Sequence, residues 1–440
     1  MVRDAQGNEL SGATAEGAAL YDRAVRALTL SYGDAVGTFE AARQAAPGCP
    51  MAHIGKAWVL ASANDAVLVK GALPLIAEAR ALWPGDRERS HLKALERAVE
   101  GDRSGVLAVL DPHLMHHPRD LIAHYAAMIA AAFSGRFSSV RDRSARALPA
   151  WSKDDASYGI LLSFYGFGLE ESGDYEKAEA VSREAADREP YGYWPHHAVS
   201  HVMEMTGRPR DGLKWMDERA PLWSEKDNVS RTHIWWHKAL FHVELGEAEE
   251  ALAIYDRPIR ELQRPVSIAL TNGAALLWRL EALGLDCSDR WRAQADLWRG
   301  RADGRHSLFS DIHAVMATVR ADQTAELEAL LASMRATALS GAASAADYRD
   351  IGLPLVDGLV AFTRGAYADA VAHLLPPRHH LSRIGGSYAQ RDVIDWTLTE
   401  AALRAGMKDV ATALANERLA LRPESRPNKS FLARAQALAA

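Results

Sequence analysis

Two short segments of this sequence gather residue types that could do chemistry. The first is Trp194-Pro-His196-His197-Ala-Val-Ser-His201-Val-Met-Glu204. His197, His201 and Glu204 stand at i, i+4 and i+7, so on a helix they share one face. The second is Thr232-His233-Ile-Trp235-Trp236-His237, with His233 and His237 again at i and i+4. The two pairs are offset by 36 residues, from position 197 to position 233. Neutral imidazoles on one face suit a divalent metal, zinc or iron, with His197, His201, His233 and His237 as the ligand set. The same groups suit metal-free acid–base chemistry, in which one histidine moves protons and a carboxylate orients it. The plain alternative is packing, because histidine is often partly buried between elements for structural reasons. No His-Glu-x-x-His is present.

Further candidates lie downstream. Phe309-Ser310-Asp311-Ile-His313 opens a predicted helix. Asp311 is expected at its N-cap; the functional alternative has Asp311 orienting His313. Gly385-Gly386-Ser387-Tyr388-Ala-Gln390-Arg391-Asp392 opens another. Ser387 and Gln390 read as a capping box. The glycine pair before a helix start could offer backbone N–H groups to an anion, with Arg391 as a bidentate clamp on a carboxylate or phosphate. Glu170 and Glu171 are expected to be solvated, and His113, His116 and His117, in a Pro-containing stretch, to be exposed.

The elements that must position these groups are helices. Strand signals are nearly absent, and apolar residues recur at helical spacing. Turn glycines are followed five residues later by a small residue: Gly173 and Ala178, Gly207 and Gly212, Gly246 and Ala251, Gly365 and Ala370, Gly406 and Ala411. Gly101 to Gly135 and Gly173 to Gly207 are both 34 residues, the tetratricopeptide period. The expected fold is all-α: helical hairpin repeats of tetratricopeptide type forming a curved superhelix. One repeat domain over 1–440 is expected, with regular hairpins over 18–282, an irregular helical segment over 283–347, and C-terminal hairpins with a cap over 348–440.

Composition excludes several classes. The chain is 48% hydrophobic and 25% charged with net charge −6. That gives no electrostatic reason to expect nucleic acid or an anionic membrane as partner. Residues 1–17 show no basic-then-apolar leader, and the apolar run Leu121–Phe133 is too short to span a bilayer. Two cysteines, Cys49 and Cys287, fit no disulfide framework, so a cytoplasmic setting is the expectation. No nucleotide-binding fingerprint is present, so no nucleotide cofactor is expected.

The chain resembles the tetratricopeptide repeat protein 38 family, as a bacterial member. The resemblance rests on His197-Ala-Val-Ser-His201-Val-Met-Glu204-Met, His233-Ile-Trp235-Trp236-His237-Lys-Ala-Leu, Leu276-Leu-Trp278-Arg279-Leu, Asp311-Ile-His313-Ala and Gly385-Gly-Ser-Tyr388-Ala-Gln-Arg391-Asp392. The family pattern carries His where this chain has Tyr388. The resemblance implies a helical-repeat fold and supplies no reaction. It also implies that polar residues of separate repeats form one signature.

The resulting expectation is an enzyme of hydrolase or lyase type, acting on a small polar or anionic molecule in a concave pocket. Glu204 or one of His197, His201, His233 and His237 would be the base, with Asp311 orienting His313. Arg391, Tyr388 and Gln390 would meet substrate charge, and Trp194, Trp235 and Trp236 would wall the pocket. The partner is expected to be that small molecule, with no nucleic acid and no membrane; self-association is compatible with the sequence. The alternative is a non-catalytic tetratricopeptide scaffold that binds a peptide or protein partner.

Overall fold

The glycine-marked turns are the units from which the chain is built. In the computed structural model, which describes residues 2–438, every regular element is a helix. The helix Tyr158–Glu170 ends before Gly173, whose φ of 82° is one that side-chain-bearing residues rarely adopt. Gly173 N donates to the Glu170 carbonyl at 2.9 Å and Asp174 N to the Leu169 carbonyl at 3.0 Å. These bonds satisfy carbonyls that the helix end leaves open. The helix Tyr175–Arg188 then starts and packs back on its predecessor. Gly207, at φ 67°, repeats the arrangement: Gly207 N bonds the Glu204 carbonyl and Arg208 N the Met203 carbonyl. Ala178, Gly212, Ala251, Ala370 and Ala411 are all buried, as close helix packing requires. The all-α tetratricopeptide-type hairpin repeat is therefore the fold.

The chain divides into two compact units, 1–199 with 219–231, and 200–218 with 232–440. The first unit pairs Ala15–Leu30 with Ala35–Ala45, Pro50–Ala61 with Ala66–Ala81, and Asp86–Val99 with Arg103–His116. It continues with Leu121–Ala132 on Phe137–Ala147 and then the pair around Gly173. Its separate segment, 219–231, returns to the first hairpin. Tyr32 bridges Asn228, Gly33 N donates to the Asp227 carbonyl at 2.7 Å, and Val229 N to the Ser31 carbonyl at 3.0 Å.

In the second unit, the C-terminal half of the helix Tyr193–Met205 is followed by Pro209–Glu218, and the body of Arg231–Glu244 by Ala248–Ile254. Ser267–Ala282 packs on Ser288–Trp298, Leu308–Arg320 on Thr324–Ala338, and Leu353–Thr363 on Tyr367–Leu374. Tyr388–Arg404 packs on Lys408–Leu421, on which the last helix, Arg426–Ala437, closes. Among the described residues no helix is long and apolar enough to cross a membrane. Cys49 and Cys287 are buried free thiols.

Candidate functional site

Successive first helices of the second unit bring three imidazoles together. His201 and Glu204 come from the helix Tyr193–Met205, and His233 and His237 from Arg231–Glu244. His237 Nε2 lies 3.2 Å from His233 Nε2, and the His201 and His237 ring centroids are 4.5 Å apart. His201, His233 and His237 each present a ring nitrogen, all within 4.8 Å of one another. On the far side of its ring, His237 Nδ1 lies 3.2 Å from Glu204 Oε2. His233 Nδ1 lies 2.6 Å from Asn272 Oδ1. Trp236 stacks on His233 at 5.2 Å and 12°, and the Arg279 guanidinium sits over the Trp236 ring. His201 and His237 are fully buried, and His233 is half-buried.

Behind Glu204 lies a buried ion network. Arg422 Nη1 donates to Glu244 Oε1 at 3.0 Å and stands 3.7 Å from Glu204 Oε1, while its Nη2 reaches Asp392 Oδ1 at 3.0 Å. Arg418 holds the same Asp392 at 2.8 Å. One guanidinium shared among three carboxylates leaves Glu204 the least compensated, and burial pushes its pKa up to about 7 against the pull of Arg422 and His201. Asp392, facing Arg418, Arg422 and Arg279, is held well below the usual carboxylate range despite its burial. Burial lowers His233 to about 4, partly opposed by its bond to Asn272, so the ring is neutral.

Asp311, His313 and Arg391 do not join this cluster. His197 and Trp194 belong to the first unit, where His197 stacks on Tyr193 and Trp194 packs on Phe164 and Phe167. Asp311 is not the N-cap; Ser307 is, accepting from Ser310 N. Nor does Asp311 orient His313, because side chains two positions apart on a helix do not face each other. Its carboxylate accepts from Gly304 N at 3.1 Å and from the Tyr348 hydroxyl at 2.5 Å. His313 Nδ1 instead donates to the Phe309 carbonyl at 2.8 Å, and burial lowers its pKa to about 4.

Ser387 and Gln390 form the predicted capping box. Arg391 turns back to the Gly386 carbonyl. A Cβ at Gly386 would lie 2.5 Å from the Phe309 ring, so close packing accounts for that glycine. Tyr388 is half-buried, and its hydroxyl is pushed up to about 12 by burial and by Asp392. Trp235 carries the Lys238 ammonium over its ring at 5.2 Å. Glu170 is buried, where solvation was expected.

The first unit holds a second polar cluster that sequence reasoning missed. His113, expected to be exposed, is buried. Asp120 accepts from Arg87 Nε at 2.6 Å, His91 Nε2 at 3.0 Å and His113 Nε2 at 3.3 Å. His91 Nδ1 meanwhile accepts the Trp58 indole N–H at 3.0 Å. That acceptance puts the single hydrogen of a neutral His91 on Nε2, aimed at Asp120. The cluster is thus a closed set of donors on one carboxylate.

A groove opens on the second unit, with a volume of about 260 Å³. Phe241 and Leu245 line its apolar floor, with Glu204 and Glu244 beside them. Arg208 from the turn after Gly207, Arg210 and Asp211 from the start of the helix Pro209–Glu218, and Glu424 and Arg426 at the last helix start form its rim.

No family model matches the chain. It is similar to solved helical-repeat structures. Human IFIT1 as a dimer with PPP-AAAA matches over 96% of this chain and 94% of that one, at 12% identity and TM-score 0.42. The pentatricopeptide repeat protein PPR10 from maize matches over 96% and 64%, at 13% identity and TM-score 0.28. The P58(IPK) TPR domain matches over 96% and 97%, at 15% identity and TM-score 0.21. At such identities the likeness concerns the fold alone. These neighbours correct the expected partner, a small molecule with nucleic acid excluded. They are repeat proteins, and IFIT1 is seen with PPP-AAAA and m7Gppp-AAAA. The chain has a tetratricopeptide-like helical-repeat fold.

Proposed function

We propose that this scaffold is non-catalytic and binds an extended segment of a partner protein in the groove of the second unit. The groove itself carries the reading. At about 260 Å³ it falls below the usual range of roughly 300–1,000 Å³ for whole small-molecule ligands, and suits one or two anchoring side chains. An apolar floor with a charged rim is the usual layout of a docking pocket for a hot-spot side chain. Arg208, Arg210 and Arg426 outnumber Asp211 and Glu424 on that rim, which favours a segment pairing an apolar anchor with a flanking acidic residue. These arginines come from a turn, the start of a second helix and the last helix start, not from first-helix faces, so basic first helices are not their signal.

The catalytic pieces expected from sequence do not support turnover as a second reading, since Asp311, His313 and Arg391 are each committed to structural bonds. The motif set supports placing the chain with the tetratricopeptide repeat protein 38 family, and the two free cysteines support a reducing, cytoplasmic setting.

The test uses the whole protein against a displayed library of short random peptides, followed by fluorescence anisotropy on those enriched. Labelled single-stranded RNA is measured in parallel. Enriched peptides should carry an apolar residue beside Asp or Glu, and Arg208→Glu with Arg426→Glu should weaken them at least about tenfold, or about 1.4 kcal/mol. RNA binding in place of peptide binding, or peptide binding indifferent to both changes, would overturn the proposal.

A further inference from the structure

Hydrogen counting separates the two histidine clusters. A neutral imidazole has one N–H and one lone pair. Asn272 Nδ2 donates to the Ala269 carbonyl at 3.1 Å, which fixes the amide so that Oδ1 faces His233 Nδ1. His233 therefore carries its hydrogen on Nδ1 and a lone pair on Nε2. An ionised Glu204 beside His237 Nδ1 accepts its hydrogen, which places the His237 lone pair on Nε2 as well. Two lone pairs then face each other across 3.2 Å. This contact is repulsive unless a cation is shared between them.

The distance matches a metal. Zinc–imidazole bonds of about 2.0–2.1 Å at the tetrahedral angle put two ligand nitrogens about 3.3 Å apart. His201 supplies a third ring nitrogen within 4.8 Å of both. The remote nitrogens of His233 and His237 meet Asn272 and Glu204, the outer-shell pattern that fixes the tautomer of metal-bound histidines. In the first unit the same reasoning gives the opposite answer, because the Trp58 indole forces the His91 hydrogen onto the nitrogen that faces Asp120.

We propose that His201, His233 and His237 form a binding site for a first-row divalent cation, zinc being the best match to three neutral imidazoles. Three protein ligands leave a fourth tetrahedral position for water or another donor. Half-buried His233 gives the ion its way in. The site adjoins the peptide groove through Glu204, but its test reads metal and not peptide, so either can fail alone.

The experiment is metal analysis of the purified full chain after dialysis with Zn²⁺ or Co²⁺. One ion per chain is expected, with a tetrahedral Co²⁺ absorption band. The ion and the band should be lost in His237→Ala and retained in His91→Gln. Asn272→Leu, which leaves all three ligands, should weaken binding about 10–100-fold. A protonated Glu204 donating to His237 Nδ1 would put the ring hydrogen on Nε2 and need no cation. Folded wild-type protein that takes up neither metal decides for that arrangement and overturns the site. So does metal that persists in a folded His237→Ala or is held equally tightly by Asn272→Leu.

Discussion

The Tyr348 hydroxyl donates to Asp311 Oδ2 at 2.5 Å, across 37 residues of sequence and within the buried interior of the second unit. Burial nonetheless pushes Asp311 up to about 7. The unfolded carboxyl titrates near about 4. Between those values the folded chain keeps a proton that the unfolded chain has released. This group's contribution is therefore complete below pH about 4 and is lost as pH rises towards about 7, at up to roughly 1.4 kcal/mol per pH unit. Asp311→Asn is neutral throughout and should flatten that slope. Urea midpoints of both proteins at pH about 5 and about 7 check this; parallel pH dependences would show that Asp311 is not the titrating group.

Arg422 is the cation that holds Glu244, stands beside Glu204 and shares Asp392 with Arg418. Arg422→Met fills similar space and strands buried carboxylates. The expected loss is about 3–5 kcal/mol, the usual cost of removing one partner from a buried pair. Denaturant unfolding measures it, and a loss below about 1 kcal/mol would mean that the network relaxes or admits water.

Asp120 plays the corresponding part in the first unit, where it also caps its helix through Ala123 N at 3.2 Å. Arg87, His91 and His113 hold its carboxyl well below the usual range. Its stabilisation is present above the ordinary carboxylate pKa and is lost in acid. Asp120→Ala should destabilise by about 3–5 kcal/mol at neutral pH, and the gap between variant and wild type should narrow in strong acid. Thermal melts across pH follow both.

Gly207 in a turn and Gly212 in the helix that follows it should respond to substitution for different reasons. Gly207 is at φ 67°, and a Cβ added there would meet nothing within 4 Å, so Gly207→Ala should cost about 1 kcal/mol through backbone strain alone. Gly212 is helical, but a Cβ there would sit 2.3 Å from the Phe241 ring. Gly212→Ala should cost about 1–3 kcal/mol through overpacking. Adding Phe241→Leu should recover part of the second loss and none of the first, as read from melting temperatures.

The fold was legible because its signals are local. A glycine that needs positive φ and a small residue five positions later are set by one turn, and Gly173 with Ala178 illustrates both. The convergence of His201, Glu204, His233 and His237 was legible because one repeat separates the two pairs. Their partners were not. Asn272 and Arg422 carry no motif and lie 39 and 218 residues from His233 and Glu204 in the numbering. Asp311 was misread because Ser307 caps the helix earlier, which moves Asp311 into the first turn, facing Gly304 and Tyr348. His113 was misread because a proline nearby suggested exposure, whereas Pro112 lies within its helix and His113 faces Asp120.

The bridge between Tyr32 and Asn228 sets an order of assembly during synthesis. The first hairpin is complete by Ala45, yet its turn obtains its backbone partners only when 227–229 has left the ribosome. By then His197, His201 and Glu204 have already been made, while His233 and His237 follow within a few residues. Closure of the first unit is thus a late, non-local event, and contacts of that kind slow folding. A chain halted after Val199 would carry five hairpins, with Gly33 N and the Ser31 carbonyl still lacking the partners that 227–229 supplies.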